Sequence, residues 1–194
     1  LGPSVPIMAL TATAVPNVQG DIIRALKLRA GVGGTEALLH VAKSSFDRHN
    51  LAISVRRKGG GGLASTLAPL LKQFAAEAQM GPLGSTLIYV PTQAETMTIA
   101  AYLRDNVRVD PVGSSSSSSS CTSSSSSGGG RALDVRSYHG GMTMTDREST
   151  HRAFLTGACP VVVCTLAFGM GIDKPDVRRV VHFGPPQTVE QYYQ

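Results

Sequence analysis

The sequence predicts an α/β fold in which a parallel β-sheet carries helices on both faces. Two observations predict it. Short apolar, β-branched runs such as Val161–Cys164 and Arg179–Phe183 are too brief for helices and suit strands buried on both sides. Between such runs lie stretches with apolar residues at helical spacing, as in Leu67, Leu70, Leu71 and Phe74. Strands alternating with helices in this way pack as a parallel sheet with crossover helices.

Taken in order, Ile7–Leu10 is expected to be a strand end. Val18–Leu28 is expected to be an amphipathic helix, with Ile22, Ile23 and Leu26 apolar and Asp21, Arg24 and Lys27 polar. Leu51–Val55 alternates like a strand, Leu63–Gln79 follows as a helix and Thr86–Val90 as a strand. Thr92–Arg104 reads as a helix opened by a Thr N-cap, because Glu95 three residues later completes a capping box. Strand Leu133–Tyr138, helix Thr145–Leu155, strands Val161–Cys164 and Arg179–His182, and a helix from near Gln187 complete the series.

Gly113–Gly130 interrupts this pattern with seven consecutive serines, Ser114–Ser120, and five more, Ser123–Ser127. Such a tract buries nothing to offset its chain entropy, so a disordered surface loop is expected, favoured over a phosphorylated regulatory segment. Gly31–Gly34 and Gly59–Gly62 read as smaller flexible breaks.

At 194 residues and 42% hydrophobic content, the chain can form one or two domains with a real core. Its net charge of +5 is a mild excess, since 16% of residues are charged; it permits a nucleic-acid partner without demonstrating one. Cys121, Cys159 and Cys164 are odd in number and lack C-x-x-C spacing, which argues against a disulfide framework and a zinc site. No metal ligands are therefore expected, and a reducing, intracellular compartment is. No apolar run nears the roughly 20 residues needed to cross a bilayer, and the N-terminus does not read as a signal peptide, so no membrane partner is expected.

The segment Thr165–Asp173, T-L-A-F-G-M-G-I-D, leaves the strand Val161–Cys164 where ligands of open α/β sheets bind, at the carboxyl ends of strands. Gly169 and Gly171 let its backbone come close to a ligand.

The longer phrase T-L-A-F-G-M-G-I-D-K-P-D-V-R resembles motif V of the RecQ helicases of superfamily 2, and other segments resemble the family in the same order. Met8–Ala14 is similar to motif III, and Ser45–Leu51 to an F-D-R-P-N-L segment, with His49 in place of its proline. Ser85–Pro91 is similar to motif IV and Tyr138–Met142 to a Y-H-A-G-M segment. Glu190–Gln194 is similar to the approach to motif VI. Val55–Lys58 and Phe183–Pro186 lean towards the Werner-like branch.

The resemblance implies a RecA-like fold. It implies that residues 1–28 are the tail of a first RecA-like domain, 29–44 a linker, and 45–194 a truncated second RecA-like domain with the insertion 113–130. A start at Leu1 and an end inside a motif lead us to expect a piece of a longer product. The implied activity is ATP-dependent 3′–5′ unwinding of DNA in repair and recombination, with single strands and duplex junctions as partners. The implied address is the nucleus in a eukaryote and otherwise the cytoplasm. ATP and Mg²⁺ are the implied cofactors. The chain contains neither G-x-x-x-x-G-K-[ST] nor D-E-x-H, so ligands for Mg²⁺ are expected outside it and hydrolysis by the chain alone is not expected.

By the same resemblance, Thr11 and Thr13 couple the nucleotide and DNA sides, while Gly171, Asp173 and Gln194 belong to ATP. Thr165, Tyr138, His139, Gly140 and Arg147 belong to DNA. Each also has a plain structural reading: a capping Asp173, a strand-end Thr165, a loop-bonding His139, a solvated helix charge at Arg147. Arg48 would pair with Asp47 or bridge domains. A superfamily 2 RNA helicase or translocase, and a non-catalytic product that binds nucleic acid, are the alternative functions.

Overall fold

The computed structural model describes residues 7–11, 15–28, 39–43, 49–109, 131–169, 172–186, 188 and 192. Two compact units emerge: residues 57–185, and a second made from 1–56 with 186–194.

The larger unit is built on four parallel strands, β1 (Ser85–Tyr89), β4 (Val135–Tyr138), β5 (Val161–Cys164) and β6 (Val177–His182), in the order β4-β5-β1-β6. The central pair is buried on both faces except at half-buried Tyr89, and most of its side chains are β-branched or aliphatic. Ile88, Val161, Val163 and Val135 point to one face, where they meet Leu67, Leu70 and Phe74 of helix α2 (Gly62–Met80) and Ile99 and Leu103 of α3 (Gln93–Asn106). Leu87, Val162 and Cys164 point to the other, against Ala153 and Phe154 of α4 (Met144–Leu155). The period-2 alternation of a strand thus divides one apolar run between two cores.

The capping box predicted for α3 is present. Thr92 Oγ1 accepts from the Glu95 N–H at 3.3 Å and the Glu95 carboxylate accepts from the Thr92 N–H at 3.1 Å, satisfying two donors at the helix start. After α3, β2 (Arg108–Val109) pairs antiparallel with β3 (Arg131–Ala132). This ribbon, not predicted, brings the flanks of the serine tract together; the tract itself lies outside the described residues.

Three expectations are corrected. Gly62 is the first residue of α2 rather than part of a flexible break. Ile7–Leu10 is not a strand but exposed chain without regular structure. Leu51–Val55 is also irregular, with Leu51, Ile53 and Val55 exposed by 55%, 64% and 94%; alternation suits a strand but supplies no hydrogen-bonded neighbour. In the smaller unit, α1 spans Pro16–Ala25, opened by a proline whose missing N–H costs nothing at that position, and it has no buried residue. The helix expected from Gln187 falls largely outside the described residues.

Candidate nucleic-acid and nucleotide site

Because all four strands run the same way, Tyr138, Cys164, Tyr89 and His182 share one level of the sheet, and the loops that follow them share its carboxyl edge. The Thr165 N–H donates to the Tyr138 carbonyl at 3.1 Å, which holds the loop after β5 against the loop after β4.

The loop after β4 is a tight turn secured in both directions. Met142 N–H donates to the His139 carbonyl at 3.2 Å, and His139 N–H reaches the Met142 sulfur at 3.4 Å. Thr143 then caps α4, its hydroxyl oxygen accepting from Asp146 N–H at 3.2 Å, and Arg147 follows on the first turn.

The loop after β5 enters a single 3₁₀ turn, Leu166–Phe168, whose Phe168 is buried against Tyr138 at 4.4 Å, Phe154 at 5.7 Å and His151 at 6.1 Å between ring centroids. Beyond it, Gly169 lies so close to Tyr89 that a Cβ there would stand 3.0 Å from the phenol oxygen. Tyr89 stacks on His182 at 5.4 Å. Burial, reinforced by the Cys164 thiol, pushes the Tyr89 phenol up to about 12, and burial holds the His182 imidazole below its usual value.

Tyr138, Arg147, Glu148, His151, Phe168 and Ile172 line a cleft of about 230 Å³ between the two loops and α4. His139 Nδ1 and Arg147 Nε are buried atoms with no hydrogen-bond partner in the structure, so each retains bonding capacity. Tyr138, Thr165, His139 and Arg147 are half-buried and Gly140 is exposed. A guanidinium, a hydroxyl, an imidazole and loop amides can together hold phosphate oxygens without reading sequence.

Of the residues expected to meet ATP, Asp173 is exposed at the far end of the β5 loop, and Gly171 and Gln194 lie outside the described residues. Among the described residues no group of three His, Cys, Asp or Glu side chains could hold a metal ion. Thr11 is exposed in the smaller unit, while Thr13 and Arg48 are outside the described residues. Sequence reading overlooked Tyr89, His151 and Phe168. The one signal for Tyr89 was its place at the end of the motif IV strand.

Residues 67–194 match the helicase conserved C-terminal domain family. The chain is 34% identical over 192 residues to the bifunctional 3′-5′ exonuclease/ATP-dependent helicase WRN of Mus musculus, covering 99% of this chain and 11% of that protein. It is 34% identical over 194 residues to the ATP-dependent DNA helicase RecQ of Pasteurella multocida, covering 99% and 24%. The chain thus spans no more than about a quarter of either relative. In fold it is similar to S. cerevisiae Dbp5 L327V bound to RNA and ADP BeF3, with a TM-score of 0.60 and 15% identity over 94% of this chain and 39% of that one. The parallel sheet with helices on both faces is accordingly RecA-like, and the chain, similar over nearly its whole length to WRN and RecQ helicases, belongs to the helicase conserved C-terminal domain family.

Proposed function

We propose that this chain supplies the second RecA-like domain of an ATP-dependent 3′–5′ DNA helicase that unwinds duplexes from single strands and junctions. The observation that carries the reading is the hydrogen bond from Thr165 to Tyr138, which holds two motif-bearing loops beside the cleft lined by Arg147. In this reading Tyr138, His139, Gly140, Arg147 and Thr165 grip one strand through its phosphates. Asp173, with Gly171 and Gln194, meets the ribose and neighbouring parts of ATP.

ATP, with Mg²⁺ held by residues outside this chain, supplies the free energy that closes and reopens the cleft between two RecA-like domains. Thr11 and Thr13 link nucleotide to strand, and Arg48 lies at the domain junction. The 1–28 segment belongs to the first domain, 29–44 to the linker and 45–194 to the second. The helicase serves DNA repair and recombination, in the nucleus if the cell is eukaryotic. Alone, this chain binds DNA and does not hydrolyse ATP.

The test is single-stranded DNA binding by the purified chain at several salt concentrations, beside an ATPase assay and an RNA competitor of equal length. Binding that weakens steeply with salt, without turnover, is the expected result. Turnover by the chain alone would overturn the division of labour, and a marked preference for RNA would favour an RNA helicase or translocase.

A further inference from the structure

Lys174 directly follows Asp173, yet whereas Asp173 is exposed, the Lys174 side chain is only 5% exposed. An ammonium withdrawn from water is costly unless its charge and its donors are met. Here Nζ lies 2.9 Å from Asp176 Oδ1, donates to the Leu155 carbonyl at 3.2 Å, and stands 5.5 Å from the centroid of the Phe154 ring. Leu155 is the last residue of α4, so the carbonyl that accepts belongs to the negative end of a helix, where a cation is favoured. Asp176 in turn accepts from Ser85 Oγ at 3.4 Å, at the start of β1.

Lys174 therefore joins the exit of the β5 loop to the end of α4 and the beginning of β1. Phe168, at the entrance of the same loop, packs on Phe154 as well. One helix side chain thus receives both the entrance and the exit of the loop that carries Asp173, and the same helix carries Arg147 two turns earlier.

We propose that Lys174 is a positioning residue that fixes Asp173 by tethering the loop exit to the C-terminus of α4, and so connects the nucleotide contact to the helix bearing Arg147. The inference rests on the proposed role of Asp173 as a ribose contact. An exposed carboxylate that must meet one hydroxyl gains from a backbone ordered beforehand, because less freedom is lost on binding.

The experiment uses the whole chain, ¹⁵N-labelled, as wild type, Lys174→Met, Lys174→Arg, Asp176→Asn and Asp173→Ala. Backbone order parameters are measured at Ile172 and Asp173, and chemical shifts are followed on titration with ATP. Wild type should sit near the rigid value of about 0.85 and Lys174→Met below about 0.6, with β5 unchanged. Lys174→Arg should keep the loop ordered, and Asp176→Asn, which alters an exposed side chain, should loosen it in a protein that folds normally. Lys174→Met should need roughly tenfold more ATP for the same shifts, the scale of a lost charged hydrogen bond.

Unchanged order parameters in Lys174→Met and Asp176→Asn would overturn the tether. Loosening in Lys174→Arg equal to that in Lys174→Met would overturn its dependence on charge. If Asp173→Ala titrates with ATP like wild type, the ribose reading fails, while the order parameters still judge the tether separately.

Discussion

The Thr165 N–H, one residue beyond β5, donates at 3.1 Å to the carbonyl of Tyr138, the last paired residue of β4. Both partners are backbone groups, so the junction between the two loops survives changes of either side chain. The Thr165 hydroxyl can therefore be tested separately from loop geometry.

Thr165→Ala should lower affinity for single-stranded DNA by up to about 1.5 kcal/mol, the net worth of a typical hydrogen bond. The melting temperature should change little, since the residue is half-buried and its backbone bond remains. Fluorescence anisotropy with labelled DNA, beside thermal melts, checks both. Unaltered binding would assign Thr165 to the strand end alone.

Gly169→Ala should destabilise the fold by about 1 kcal/mol, because the new methyl would meet the Tyr89 phenol oxygen at 3.0 Å. The backbone is not the obstacle, since Gly169 has φ −81°. Paired with Tyr89→Phe, which removes the oxygen, the same change should cost less than about 0.5 kcal/mol. Urea unfolding of the four proteins gives the coupling directly.

How much of this was legible in the sequence depended on whether a pattern has one physical cause. Val161–Cys164 is found at the predicted limits because four apolar residues between turn signals suit a strand with two covered faces. Thr92 is found as the N-cap of α3 because a capping box involves only residues three apart. Leu51–Val55 was misread because a strand also needs a neighbour to accept its hydrogen bonds, which alternation does not encode. The β2–β3 ribbon, two residues on each side, is too short for any periodicity to register. At the candidate site, Tyr138, Thr165 and Arg147 are suggested by the resemblance to the family's motifs and by their neighbourhood in the sequence. The strand order that puts the first two side by side, and the packing of Phe168 and Tyr89 beneath the loop, arise from contacts between distant segments.

Stability should fall as pH rises above about 9, and Cys159 should account for part of the loss. Burial, with Asp134 adding to it, pushes this thiol up to about 11, while Cys164 is pushed upward by burial alone. In the unfolded chain a thiol ionises near about 8.5. Between that value and the folded one the unfolded state binds fewer protons, so unfolding becomes easier with each rise in pH. Cys159→Ser retains a donor towards the Val161 carbonyl, which the thiol meets at 3.1 Å, and does not titrate in this range. Its stability should decline less steeply, by up to about 1.4 kcal/mol per pH unit, in denaturant melts between pH 8 and 11.

Arg147→Ala should weaken DNA binding across all sequences and lower the magnitude of the salt slope, log K against log [salt], by about one. Arg147 has an unmet bonding capacity: it is half-buried in the cleft with Tyr138 and Phe168, and its buried Nε has no partner. A guanidinium serving only the fold would be expected to spend that donor on a neighbouring oxygen, as Arg136 does on Asp134 at 3.3 Å. Removing a phosphate contact releases one fewer counterion on binding, so the slope changes along with the affinity. Arg147→Lys should keep most of the slope and lose some affinity, because an ammonium supplies the charge without the planar fork. A parallel shift of the binding curves with no change of slope in Arg147→Ala would mean that the side chain supports α4 rather than a phosphate.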